Sequence, residues 1–499
     1  MASSRGVNAA MMECEVGGGR QLNLSGLGLF QLPDEAIERF ADTLELLNMG
    51  DNNLSSLPPS FASFRSLRVI FFANNQFEVV PSVLGVLPSL YMISFKRNRV
   101  AEVPENSLSS SVGWLILSDN CITELPPSIG KLTGLRKCML AGNRIKSLPL
   151  EMAQCRELEL LRLAANELDE LPEWLLQLPK LSWLALAGNP CLPSPPTPDV
   201  DKVPWEQVCT TSVLGEGASG IVYRATVEDE SSEMRTVAVK TFKGEATSDG
   251  LPVDEMRAAM YLGGGDGGRG HPCITPVLGH VLKLKKKDEE LPEGLIFELI
   301  PPDFSNLGDP PSFQTVTRDT FPEGLSFHPA RIFTIARAVA SACVYMHSKR
   351  SSHAISHGDL YAHNLLVTAP ATWGDIGAVD VRLCDMGAAT FYDPDTPAGS
   401  LLERIEVRAF GCLLEDMLQL LPGGLDRDTL ALARRLTVVS SMCMSPTVDK
   451  RPSFVAVLDE LDNYVLEGSV YDTLTNNVGI MSVSIVVVGC IAGFLMRRR

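Results

Sequence analysis

An asparagine recurs every 22 or 23 residues through the first 190 positions, at Asn52, Asn75, Asn98, Asn120, Asn143, Asn166 and Asn189. Around each runs Leu-x-x-Leu-x-Leu-x-x-Asn-x-Leu-x-x-Leu-Pro, seen most fully at Leu158, Leu161, Leu163, Asn166, Leu168, Leu171 and Pro172. A further copy leads, with Leu22, Leu24, Leu29, Leu32 and Pro33, and with Leu27 at the Asn position. One such unit cannot bury its own leucines. Stacked units bury them in a continuous core, so the period dictates a solenoid. The Asn is expected to serve backbone groups where the chain turns after each short strand, a structural rather than catalytic duty.

Net charge is −17, which argues against a nucleic-acid partner. The 12 cysteines form no C-x-x-C pair, so neither a zinc site nor a disulfide framework is expected, and a reducing compartment fits. The N-terminus has no apolar stretch of signal-peptide type. Residues 478–496 carry no charge and are followed by three arginines. At about 1.5 Å per residue they would span roughly 28 Å, near the ~30 Å of a bilayer core. They are expected to form a C-terminal membrane anchor, with both folded parts on the cytosolic side and Gly489 and Gly493 available to pair two anchors.

Six prolines fall between Pro190 and Pro204, which reads as a stiff, extended spacer. Beyond it the leucine period is gone. Gly215, Gly217 and Gly220 form G-x-G-x-x-G between two expected strands, so backbone N–H groups can approach a phosphate. Val237-Ala238-Val239-Lys240 follows as an alternating strand ending in a lysine. Later come His357-Gly358-Asp359-Leu360-Tyr361-Ala362-His363-Asn364 and Asp385-Met386-Gly387. Phosphoryl transfer needs a carboxylate to orient the hydroxyl nucleophile and oxygen ligands for Mg²⁺. Asp359 suits the first role, and Asn364 and Asp385 the second.

Taken in order, these pieces resemble a eukaryotic protein kinase domain over residues 207–468. The resemblance implies a small β-rich lobe over a larger helical lobe with ATP between them. It implies Lys240 on the phosphates, paired to Glu255, with Asp359 as catalytic base. The ATP site would comprise Gly215, Glu216, Gly217, Gly220, Val222, Ala238, Lys240, Phe297, Glu298 and Ile300, with Mg²⁺ (or Mn²⁺) on Asn364 and Asp385. Lys450-Arg451-Pro452 resembles a late motif of tyrosine-kinase-like kinases. The expected architecture is multidomain. A disordered segment at 1–19 precedes an α/β leucine-rich repeat solenoid at 20–192. A Pro-rich linker at 193–206, an α+β bilobal protein kinase fold at 207–468 and one transmembrane helix at 478–496 follow.

The departures are specific. Gly358 stands in the place of an arginine that pairs with an activation-loop phosphate. Tyr361 replaces the lysine of serine/threonine kinases, and His363 the arginine of tyrosine kinases. Only 21 positions separate Asp385 from Glu406, aligned with a buried aspartate of the next long helix, and the span holds no Ala-Pro-Glu. Arg451 thereby loses its usual carboxylate partner, for which Glu403 is a stand-in. Three readings follow. The chain is an ATP-dependent protein kinase acting on a protein substrate, with serine or threonine preferred to tyrosine. Alternatively it is a pseudokinase scaffold or nucleotide-sensing switch, or a small-molecule phosphotransferase of the same fold.

Residues between the core leucines face the concave side of such a solenoid. Phe71, Met92, Trp114, Ile116, Met139 and Trp183 make that face unusually apolar. It is expected to bind a protein or peptide partner, or the chain's own kinase-like domain as an inhibitory clamp.

Overall fold

The computed structural model describes residues 4–466, apart from 194, 195, 197, 199, 218, 229–232, 244–246, 248, 265–269, 287, 288, 349–352 and 369–378. Each repeat contributes one three-residue strand. These are Gln21–Asn23, Leu46–Asn48, Val69–Phe71, Met92–Ser94, Trp114–Ile116, Lys137–Met139, Leu160–Arg162 and Trp183–Ala185, here β1–β8. They form one parallel sheet in chain order. Its register steps by one repeat per strand, as from Trp114 to Lys137 to Leu160 to Trp183.

The asparagines sit where the chain leaves each strand. Asn143 donates from Nδ2 to the carbonyls of Leu117 (3.0 Å) and Leu140 (2.8 Å) and accepts from the Ile122 N–H (3.0 Å). Asn75 and Asn166 repeat the pattern. One side chain thus joins two successive turns and leaves no buried backbone group unpaired there.

The N-terminal segment departs from the expected disorder. Ser4–Val16 is an α-helix whose Met11 and Cys14 are buried in the solenoid core. A repeat stack exposes apolar surface at its first unit, and an amphipathic helix covers it. The Pro-rich stretch is likewise no free spacer at its C-terminal end. Lys202–Val203 pairs in parallel with His280 and Val281, and the Trp205 indole N–H donates to the Pro292 carbonyl (3.1 Å).

The second part of the chain has two lobes. The smaller is a sheet of Val208–Glu216, Gly220–Glu228, Met234–Phe242, Gly294–Glu298 and Val277–Val281, in that order, with the Pro252–Leu262 helix beside it. The larger is built on helices Pro329–His347, Pro397–Leu418, Arg427–Cys443 and Phe454–Leu466. Local chemistry sets where these begin. Pro329 and Pro397 stand in the first turn, and the Thr396 and Asp426 side chains accept N–H groups of Gly399 and Thr429.

The expected transmembrane helix requires correction. Among the described residues no helix is long and apolar enough to cross a membrane. The 19-residue Pro329–His347 helix illustrates why: it carries Arg331 and Arg337 and buries its apolar face in the larger lobe. Residues 478–496, with Gly489 and Gly493, lie outside the described residues. No membrane-spanning helix among the described residues supports the expected membrane partner, the tail-anchored placement or the paired anchors.

The two parts do not hang as separate beads. Leu160 and Trp183 of the solenoid belong to the hydrophobic core of the larger lobe. Ala354, Tyr392, Leu401, Leu402, Ile405 and Val448 of that lobe pack into the solenoid core. The concave side of the last repeats lies against the catalytic-loop side of the kinase-like part.

Candidate functional site

The cleft between the lobes is built from the strands of the small one. Val208–Glu216 and Gly220–Glu228 form an antiparallel hairpin that carries the glycine loop over the cleft. Gly220 is required by space, since a Cβ there would lie 2.1 Å from the Thr241 carbonyl oxygen. Met234–Phe242 pairs with Gly294–Glu298, setting Ala238 opposite Phe297 and Val237 opposite Glu298. A cavity of about 580 Å³ opens beneath, lined among others by Val222, Ala238, Lys240, Glu255, Phe297, Glu298, Ile300 and Asp385. A second space of about 420 Å³ adjoins it under the glycine loop. Gly215, Glu216, Gly217, Gly220, Lys240, Asp249, Asp385 and Gly387 border it.

Lys240 and Glu255 form a buried ion pair. Burial works against the Lys240 ammonium, but Glu255 and Asp385 outweigh it and hold its pKa above the ordinary value. Asp254, one residue away, turns instead toward Arg257 (3.6 Å). Asp385 sits at φ +61 and accepts the Gly387 N–H (3.0 Å). Asn364 donates from Nδ2 to the Asp359 carboxylate and carbonyl (both 2.8 Å). That commits the amide nitrogen, so its carbonyl oxygen is the donor left for a cation. An Asp oxygen and an Asn oxygen, completed by phosphate oxygens and water, suit the hard octahedral demand of Mg²⁺.

The catalytic loop is fixed from below. Glu406, on Pro397–Leu418, accepts the N–H groups of His357 (3.1 Å) and Gly358 (2.7 Å) and meets His347 Nε2 (2.5 Å). Burial disfavours its charge, yet His347, His357 and the Gly358 N–H hold its pKa below the usual range. His357 donates to the Cys384 carbonyl (3.0 Å), tying the loop to the residue before Asp385. Asp319 holds the far end, accepting from His363 Nδ1 (2.7 Å) and the Ala362 N–H. Sequence reasoning missed Asp319, which lies in an irregular stretch with no pattern to mark it.

The solenoid completes this neighbourhood, and Arg162 on β7 is its most consequential residue. Its side chain is 2% exposed. It donates from Nε to Asp249 (2.8 Å) and from Nη1 to the Gly358 carbonyl (2.8 Å), and pairs through Nη2 with Asp359 Oδ1. Asp359 is half-buried, and desolvation disfavours its charge, but Arg162, His363, His357 and Asn364 draw its pKa below the usual value. Trp183 stacks on Tyr361 with centroids 4.4 Å apart and planes 5° from parallel, and donates to the Leu360 carbonyl (3.2 Å). Trp114 stacks on Phe313, and Met139 packs against the larger lobe. Met92 is buried within the solenoid face, while Phe71 and Ile116 are half-buried. Three of the six residues expected to meet a partner or the chain's own kinase-like domain thus meet that domain.

Each departure noted in the sequence lies at this contact or beside it. Gly358 has φ +72, and a Cβ there would lie 2.5 Å from the Ala388 carbonyl oxygen and 2.8 Å from that of Leu184 on β8. Arginine at this position is incompatible with the docked solenoid. Arg451 does not pair with Glu403, which accepts the Phe454 N–H instead (2.8 Å). Arg451 donates to the carbonyls of Ser445, Arg404 and, in the solenoid, Pro179 (2.8 Å). Burial and the nearby Arg408 push its pKa down to about 9. Arg408 donates to the Lys180 carbonyl (3.1 Å) and the Leu186 N–H to Thr390 Oγ1 (3.1 Å). β8 lies against the short span after Asp385, where Ala185 packs on Ala388.

Residues 208–401 match the protein tyrosine and serine/threonine kinase family. Residues 133–190 and 43–64 match leucine-rich repeat families. Over 129 residues, 24% of the chain, it is 29% identical to a probable serine/threonine-protein kinase pats1 of Dictyostelium discoideum. Over 134 residues, 26% of the chain, it is 29% identical to leucine-rich repeat and calponin homology domain-containing protein 1 of Mus musculus. These matches span 4% and 18% of the two relatives. Sequence families and architecture agree: the chain is an N-terminal leucine-rich repeat region fused to a tyrosine and serine/threonine kinase-like domain.

Proposed function

We propose that this chain is an ATP-dependent protein kinase of signal transduction whose leucine-rich repeats control access to its catalytic loop. The observation that carries the reading is the Lys240–Glu255 ion pair beside Asp385 at an open cleft. Phosphoryl transfer is mostly positioning and charge stabilisation, and those parts are present together. Lys240 would hold phosphate oxygens beneath the Gly215–Gly220 loop, and Asn364 and Asp385 would hold Mg²⁺, or Mn²⁺ in its place. Bound Mg²⁺ would neutralise charge on the phosphates. Ala238, Phe297, Glu298 and Ile300 would line the adenine side. Asp359, fixed by Asn364, would orient the acceptor hydroxyl. Tyr361 is stacked under Trp183 rather than open to substrate, so acceptor choice between serine or threonine and tyrosine rests on other contacts, with serine or threonine the working assignment.

A second reading, a nucleotide-sensing pseudokinase, is favoured by one observation. Asp359 is already paired with Arg162 and borders neither cleft cavity described above. The test is transfer from labelled ATP by the full chain with Mg²⁺ or Mn²⁺. Slow transfer is expected, lost at least about a hundredfold in Asp359→Ala and in Lys240→Met. Nucleotide binding with no transfer in any variant would favour the pseudokinase.

A further inference from the structure

A hydroxyl acceptor must come within hydrogen-bond reach of the catalytic carboxylate, about 2.6–3.2 Å. Both Asp359 oxygens already carry a partner, Arg162 at Oδ1 and Asn364 at Oδ2, so an incoming hydroxyl must compete for them. Asn364 belongs to the kinase-like domain and matches that family's loop. Arg162 comes from 197 residues earlier in the chain, on a different fold. Its three partners include both sides of the cleft, Asp249 before the Pro252–Leu262 helix and Gly358–Asp359 in the catalytic loop.

The surroundings are made to fit this occupant. Gly358 leaves room for the Leu184 carbonyl where a side chain would collide. Ala141, Ala164 and Ala185 from three successive repeats pack on Ala388, directly after the Asp-Met-Gly triplet. Larger residues there would hold the solenoid away. Arg451 and Arg408 spend buried donors on carbonyls of Pro179 and Lys180. A docked acceptor peptide would need this same ground between the catalytic loop and the segment after Asp385. The nucleotide side carries no such cover, and its 580 Å³ cavity contains no solenoid residue in its lining.

We propose that β7 and β8 are a built-in occupant of the acceptor site, with the Arg162 guanidinium standing at Asp359 where the substrate hydroxyl would bind. The inference rests on the phosphotransfer reading above and adds how the site is regulated. The chain takes up ATP in this closed form but phosphorylates a protein only when the last two repeats swing off the catalytic loop. Nucleotide loading and acceptor entry are thus separate steps. Because two hydrophobic cores cross the contact, closure is the default and opening the minor state.

The test uses the full chain with ATP·Mg²⁺ and a degenerate serine, threonine and tyrosine peptide library as acceptor. Arg162→Ala removes the guanidinium, and Trp183→Ala loosens the contact without uncovering buried carboxylates, so it serves if the first variant folds poorly. Both are expected to raise peptide phosphorylation roughly tenfold or more by enlarging the open population. The gain should vanish when Asp359→Asn is added, while the ATP-dependent rise in Tm stays as in the parent chain. A fall in transfer in Arg162→Ala with nucleotide binding intact would overturn the proposal, making Arg162 a contributor to catalysis. Unchanged transfer in both folded variants would overturn it too. Failure of the parent chain to bind ATP would instead defeat the phosphotransfer reading, and the gate with it.

Discussion

His271 shows how much a single side chain can report. Its Nδ1 accepts the Cys273 N–H (3.1 Å), so its other nitrogen carries the proton and donates to Ser341 Oγ (3.0 Å). That neutral form fills both bonds, and burial pushes the pKa down to about 4. Below pH 6.5 the unfolded chain binds a proton that the folded chain refuses, so stability falls as pH drops from 6.5 toward 4. Allowing for partial solvent screening, the loss by pH 5 is of order 1 kcal/mol. Urea unfolding of the parent chain and of His271→Gln at pH 7.5 and pH 5 should show it as a smaller loss on acidification in the variant. At this scale the sequence was legible where residue types carry chemistry: Lys240, Glu255 and Asp385 lie together around one cleft. It was silent on Asp319 and Arg162. One sits in an unpatterned segment, and the other looks like any polar residue of a concave column until its partner is in place.

At the scale of elements, the repeat period carried nearly everything. Met92, Trp114 and Trp183, read from the sequence as facing the concave side, are each the first residue of a strand. Spacing alone decides this, because every unit must present the same face to its neighbours. Asn143→Ala would leave two carbonyls and the Ile122 N–H without their partner in a buried turn. The expected cost is about 1–3 kcal/mol, measured as a lowered urea midpoint. Substituting the exposed Asn53 should stay within about 0.5 kcal/mol. The N-terminal helix escaped the sequence reading because the burial of Val7, Met11 and Cys14 depends on the first repeat lying beneath them. The Lys202–Val203 strand escaped for a similar reason: two residues have no period, and only the edge at His280 gives them a partner.

At the scale of the molecule, the sequence displayed two modules and their order but not their embrace. Gly358, Arg451 and the short span after Asp385 read as losses from a kinase pattern. In three dimensions each accommodates the solenoid, Gly358 by lacking a side chain and Arg451 by donating to Pro179. Such contacts join residues far apart in the chain, 272 positions for Arg451 and Pro179, and no local periodicity encodes them. The cleft meanwhile keeps its open side toward nucleotide. Everything proposed depends on that cleft being an ATP site, so the most direct measurement is the Tm of the full chain with and without ATP·Mg²⁺. At a hundredfold excess over Kd, binding should stabilise the fold by about 2.7 kcal/mol and raise Tm, with the rise lost in Lys240→Met and reduced in Asp385→Asn. An unchanged Tm at millimolar ATP·Mg²⁺, in a chain that otherwise unfolds cooperatively, would contradict a nucleotide site.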